Sequence, residues 1–160
     1  MASIDKSTID FLKNLKENNN RDWFNEYKPE FQIEQQKAKD FYNALMLQLK
    51  SHDDIEKFKF FRIYRDVRFS KDKTPYKPHF AGSFSRATNR LRGGYYLRIR
   101  PGESFLAGGF WEPNKEDLLR IRKEFEMDAS EIRAIINNKT FKKHFGKLEG
   151  ESLKTAPRGF

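Results

Sequence analysis

The sequence predicts an α+β fold, with N-terminal helices, a central and mainly antiparallel sheet, and C-terminal helices. Three observations point there. Apolar residues recur at spacings of three and four near both ends of the chain, as in helices with one buried face. Between them, residues 94–111 alternate about a Pro101-Gly102 turn, as a β-hairpin does. Helix and strand patterns fall in separate stretches, which defines the α+β class.

The elements follow in order. Ser7 suits the N-cap of a first helix; Ile9, Leu12 and Leu15 supply its apolar stripe, and Asn18-Asn19-Asn20 ends it. Arg21-Asp22-Trp23-Phe24 begins a second helical segment. Pro29 suits the first turn of a third, longer helix, where its missing N–H loses no bond. There Phe31, Ala38, Phe41, Leu45 and Leu49 form the core face, with Glu34, Lys37 and Lys39 elsewhere on the wheel. Phe58 to Ile63 reads as an aromatic-rich strand. Pro75 and Pro78 keep 64–79 irregular. Phe80 to Ser85 is a short strand, and Gly82 inside it marks a bulge or a close approach.

In the hairpin, Tyr95 to Arg100 runs out and Ser104 to Trp111 returns. Alternation puts Tyr95, Leu97 and Ile99 on a core face and Tyr96, Arg98 and Arg100 on the other. Pro113 suits a first helical position, and Leu118, Ile121 and Phe125 form the next stripe. Asp128 and Glu131 resemble a capping box for a short helix through Ile136. Thr140 to Phe145 is a last helical turn, closed by Gly146. A chain of 160 residues suggests one domain spanning 1–160, long enough for a core without metal or disulfide.

Composition narrows the chemistry. There is no cysteine, which excludes disulfides, thiolate metal sites and cysteine nucleophiles. No secretion signal and no long apolar run is visible, so the expectation is a cytoplasmic protein with no membrane association. The net charge is +9, and it is regional. Residues 57–100 hold thirteen Lys and Arg against Asp66 and Asp72, a local +11; the rest holds 19 basic and 21 acidic residues, or −2. Such a region attracts phosphates, nucleic acid or acidic surfaces. The plain alternative is a solvated basic face that only aids solubility. Sixteen Phe, six Tyr and two Trp predict a core dominated by rings.

The segment Arg62 to His79 is the densest in candidate chemistry. Arginine presents a planar fork that pairs bidentately with phosphate or carboxylate. Arg62, Arg65 and Arg68 are spaced by three, so in a helical turn they share a face and converge on one anion. Lys73, Tyr76, His79, Arg98 and Arg100 complete the candidate anion-binding set, with Asp66 and Asp72 supporting the arginines. The alternative is that these acids pair with the arginines only to brace an irregular loop. Tyr96, Arg98 and Arg100 form an aromatic, cationic strand face suited to stacking bases and holding phosphates, or else an ordinary exposed sheet face. Phe69 and Pro75 read as packing residues. His79, Tyr76 and Asp72 could move a proton beside a bound phosphate. His52, His79 and His144 lie far apart, so no metal site is expected. No Walker or dinucleotide glycine motif occurs, and no cofactor is expected.

The same segment carries a family resemblance. Arg-x-x-Arg-Asp-x-Arg-Phe followed by Asp-Lys-x-x-Tyr matches at eight positions: Arg62, Arg65, Asp66, Arg68, Phe69, Asp72, Lys73 and Tyr76. The chain therefore resembles the bacterial family catalogued as domain of unknown function 2461. Asn20-Arg21-Asp22-Trp23-Phe24, Gly93-Gly94-Tyr95-Tyr96, Gly108-Gly109-Phe110-Trp111 and Pro157-Arg158-Gly159-Phe160 extend the resemblance over most of the chain. Members usually run several dozen residues further, which implies a chain truncated at its C-terminus. The resemblance brings no activity, cofactor or catalytic residue with it. The residues themselves point to a binding domain for phosphate-bearing ligands, either nucleic acid or nucleotide. An enzyme acting on an anionic or phosphorylated substrate, and a structural domain with an acidic protein partner, are the alternatives.

Overall fold

Three helices, α1 (Lys6–Glu17), α2 (Arg21–Glu26) and α3 (Lys28–Leu49), come first in the computed structural model, which describes residues 3–88, 90–150, 152–157 and 159–160. Four strands follow: β1 (Ile55–Phe60), β2 (Phe80–Arg86), β3 (Gly94–Ile99) and β4 (Phe105–Gly109). They form one sheet in the order β1-β2-β3-β4, each strand antiparallel to its neighbour. Three further helices end the chain, α4 (Lys115–Met127), α5 (Ser130–Asn137) and α6 (Lys139–Phe145). This is the α+β fold expected. The residues gather into two compact units, Met1–Trp111 and Glu112–Phe160.

In the first unit the three helices cover one face of the sheet. Phe11, Leu12 and Leu15 of α1, Phe24 of α2, and Phe31, Ala38 and Tyr42 of α3 are buried with Phe80, Phe84 and Ile99. Rings dominate this core, as composition predicts. Tyr42 stacks on Phe58 and Phe84 (centroids 5.8 and 6.1 Å), and its hydroxyl donates to the Leu97 carbonyl (2.9 Å). Gly82 makes room for this: a Cβ there would lie 2.8 Å from Phe58 and 2.9 Å from the Tyr42 ring. The close approach is therefore at Gly82, whereas the irregular register is at Ile55/Lys57.

Several local expectations are corrected. Asp5, not Ser7, holds the N-cap position of α1. Ser7 lies inside the helix and donates to Glu34 Oε2 (3.1 Å). Glu34, expected on the polar side of α3, is 4% exposed. It also accepts from Thr8 (2.6 Å) and Lys37 (2.8 Å), and a carboxylate so supplied with donors can be buried. Tyr42 is fully buried on α3, while Phe41, Leu45 and Leu49 are half-buried. The first strand runs Ile55–Phe60 rather than 58–63, because the chain leaves the sheet after its bond from Phe61 N–H to the Ala81 carbonyl (2.9 Å).

In the second unit, Pro113 precedes the N-cap of α4 rather than following it. That position belongs to Asn114, whose side chain accepts from the Asp117 N–H (2.8 Å). Ala129 holds the N-cap position of α5, one residue after Asp128, which accepts from the Ser130 N–H (2.8 Å). Gly146 ends α6 with φ 70°, a left-handed conformation that suits glycine. Lys123 lies over the Phe160 ring (4.9 Å). Leu118 and Ile121 are half-buried and Phe125 is exposed. Arg158, part of the closing motif, lies outside the described residues. Among the described residues no helix is long and apolar enough to cross a membrane.

Candidate anion-binding site

Between β1 and β2 the chain makes a long excursion closed like an open hairpin. Lys77 N–H donates to the Ile63 carbonyl (2.8 Å) and Arg65 N–H to the Pro75 carbonyl (2.9 Å), with Tyr64 and Tyr76 forming an isolated antiparallel bridge. Asn19 clamps the return limb from the helical side, accepting from Tyr76 N–H (3.1 Å) and donating to its carbonyl (2.9 Å). Tyr76 is 5% exposed and stacks on Phe24 at 3.9 Å. The structure thus places Tyr76 in the core as the anchor of the loop.

The loop tip is tied by its own polar groups. Residues 64–79 are irregular as expected, and no helical turn sets Arg62, Arg65 and Arg68 on one face. Arg68 forks onto Asp66 (3.0 and 2.7 Å), and hydrogen bonds from Arg68 hold the Asp66 carboxyl below its ordinary pKa. Asp72 accepts from the Thr74 N–H and hydroxyl (2.9 and 2.7 Å) and pairs with Arg65 (3.0 Å). Lys73 donates to the Val67 carbonyl (2.9 Å). Phe69, read as a packing residue, is instead 95% exposed, since polar bonds rather than apolar burial hold the tip.

Below the tip, the other candidates come together. His79 leads into β2, and the register Phe80↔Ile99 and Ala81↔Arg98 brings it beside Arg98 and Arg100. Burial, then the charges of Arg98, Lys77, Arg100 and Arg65, push the His79 imidazole down to about 4. It is therefore neutral at pH 7. Burial, then Arg62 and Arg65, likewise lower Lys77, which stands in the same field. Against these cations stand Asp72, on Arg65, and Glu103, which lies 3.1 Å from Arg100 and 3.9 Å from Arg98.

The Nε atoms of Arg65, Arg98 and Arg100 and Nδ1 of His79 are buried with no hydrogen-bond partner among the described residues. A buried donor left unmet costs about 1–3 kcal/mol. Three guanidinium groups and the His79 imidazole share one neighbourhood in which cations outnumber carboxylates, a setting that suits an anion. A tetrahedral oxyanion offers several acceptor oxygens at once.

The site thus unites Arg65, His79, Arg98 and Arg100, with Arg62 nearby, while Arg68 and Lys73 stay at the tip. Lys77 was not among the candidates. Its position in the Pro-bounded loop carries no periodicity to reveal which way it points.

The sheet face turned away from the helices continues this cluster. Cross-strand pairs Lys59↔Ser83, Ser83↔Tyr96 and Tyr96↔Ala107 lie on it, as do Ala81↔Arg98 and Arg98↔Phe105. The expected division of β3 is found: Tyr95, Leu97 and Ile99 pack on the core. On the opposite face Tyr96 lies between Phe61 (6.1 Å) and Phe105 (5.5 Å). Lys59 sits over Phe61 (5.3 Å) and Arg98 over Phe105 (4.5 Å). Phe61 and Lys59 lie within the strand expected from Phe58 to Ile63, and alternation along it puts them on the face opposite Phe58 and Phe60.

A second polar cluster contrasts with this one. Asp53 pairs with Arg86 (2.8 Å) and accepts from the Tyr95 hydroxyl (2.8 Å). Its partners are mutual, and it braces the start of the sheet.

A family model described as a conserved hypothetical protein, DUF2461, matches residues 7–160. No curated protein and no solved structure matches the chain.

Proposed function

The chain belongs to the DUF2461 family of conserved hypothetical proteins, and from that premise we propose that it is a binding domain for phosphate-bearing ligands. One observation carries the reading. Arg65, Arg98, Arg100 and His79 converge, each with a buried nitrogen that has no hydrogen-bond partner among the described residues. Lys77 and Arg62 add charge to the same place. Phosphate accepts several charge-assisted bonds from such a set, and guanidinium forks match its geometry.

Calorimetric titration of inorganic phosphate and mononucleotides at low ionic strength tests it. Wild type is expected to bind. Arg65→Lys keeps the charge but loses the Nε donor and the fork, so binding should weaken about tenfold, or roughly 1.4 kcal/mol, with the melting temperature nearly unchanged. If wild type binds no anion, or Arg65→Lys only unfolds the protein, the Arg65–Asp72 pair is a brace. The two ion pairs at the loop, Arg68–Asp66 and Arg65–Asp72, favour that second reading, in which the segment is structural.

A further inference from the structure

We infer that the outer sheet face is a platform for single-stranded nucleic acid, with bases stacking on Phe61, Tyr96 and Phe105 and phosphates held by Arg98, Arg100 and the cluster beside them. The inference rests on the phosphate-binding reading and names its ligand.

The rings supply the first argument. Phe61, Tyr96 and Phe105 come from the residue after β1, from β3 and from β4, yet their centroids are 6.1 and 5.5 Å apart in one row. They lie on the face that α1, α2 and α3 leave open. A core would bury such rings, but Phe61 and Tyr96 are half-buried and Phe105 is 42% exposed. The pairs directly opposite Tyr96 are Ser83 and Ala107, small residues that do not cover its ring. The Arg98 guanidinium, 4.5 Å over Phe105, widens the surface, since bases stack on arginine planes as on rings.

Charge supplies the second. Lys59 and Arg98 lie on this face, and Arg65, Lys77 and Arg100 stand beside it around His79. The anion cluster lies at the end of the row, where Arg98 belongs to both. Alternating ring and cation fits a chain whose bases and phosphates alternate. A duplex hides its base faces from such a row, and an acidic peptide would use the cations but leave the rings idle.

The test uses the full chain and labelled oligonucleotides of about ten nucleotides, oligo-dT and oligo-U, with a duplex of the same length for comparison. Phosphate and mononucleotide are titrated in parallel. Single strands should bind at low salt, with a log–log salt slope of about −2 to −3 for three or four phosphates. The duplex should bind at least about tenfold more weakly. Phe105→Leu, at an exposed edge-strand position that tolerates change, should weaken the oligonucleotide roughly 5- to 100-fold. Tyr96→Leu should do the same, and Tyr96→Trp should retain binding. A preference for oligo-U or for oligo-dT would support the platform and tell RNA from DNA as its source.

The platform is overturned, with phosphate binding left standing, if oligonucleotides bind no tighter than mononucleotides or if folded Phe105→Leu and Tyr96→Leu bind as wild type does. A duplex bound as tightly as a single strand, or polyglutamate competing equally well, overturns it too. If neither phosphate nor oligonucleotide binds, both readings fall.

Discussion

His79 is held neutral by burial and by the arginines and lysine around it, and the direction of that shift has a measurable consequence. The unfolded chain takes up this proton near 6.5, whereas the folded chain resists it until about 4. Stability from this group is thus fully present above pH 6.5 and is lost as pH falls towards 4. Wild type should lose on the order of 2–3 kcal/mol between pH 6.5 and 4.5 that His79→Gln does not lose, measured by urea unfolding at each pH. Glu34 behaves in the opposite sense. Burial raises its carboxyl, but hydrogen bonds from Lys37, Thr8 and Ser7 outweigh burial and hold it below its ordinary value. Its contribution is present above the ordinary carboxylate value and disappears as pH falls through the lowered one. Glu34→Gln should destabilise by about 2 kcal/mol at pH 7, since it removes charged hydrogen bonds inside the α1–α3 contact. Neither role is legible from sequence. Glu34 sits where the helical wheel reads as polar, and only the arrival of Thr8 and Ser7 from another helix makes its burial tolerable.

At the scale of elements, periodicity was a good guide wherever one face meets the core. The split of β3 into Tyr95, Leu97 and Ile99 against Tyr96, Arg98 and Arg100 follows from strand geometry alone. Gly82 is legible too, because a glycine inside a strand signals close approach. Gly82→Ala should cost about 1–3 kcal/mol by driving a methyl into Phe58 and Tyr42, seen as a lower denaturant midpoint with an unchanged slope. The loop 61–79 was legible only as irregular. Its shape depends on Asn19, more than fifty residues away, and on the stacking of Tyr76 on Phe24. Spacing within the loop gave no sign that Tyr76 is buried, and it misread Phe69, which is exposed, as packing. In α4 the stripe of Leu118, Ile121 and Phe125 is right as a pattern, yet Phe125 is 48% exposed.

Across the molecule, the charge confined to residues 57–100 resolves into distinct places. Arg68 and Lys73 are spent on the loop tip, and Arg86 on Asp53. Arg65, Lys77, Arg98 and Arg100 gather around His79, and Lys59 and Arg98 lie along the open face of the sheet. Composition revealed the surplus, but register decides which charges meet, because Arg98 and His79 are nineteen positions apart and become neighbours only when β2 pairs with β3. The most direct test follows the His79 ring by NMR through a pH titration, with and without inorganic phosphate. A bound anion offsets the surrounding cations and favours the imidazolium, so by linkage its binding must raise the pKa. The expected result is a titration near pH 4 in the free protein that moves up by about one unit or more when phosphate is saturating. A His79 titration that is the same with and without phosphate would contradict the account.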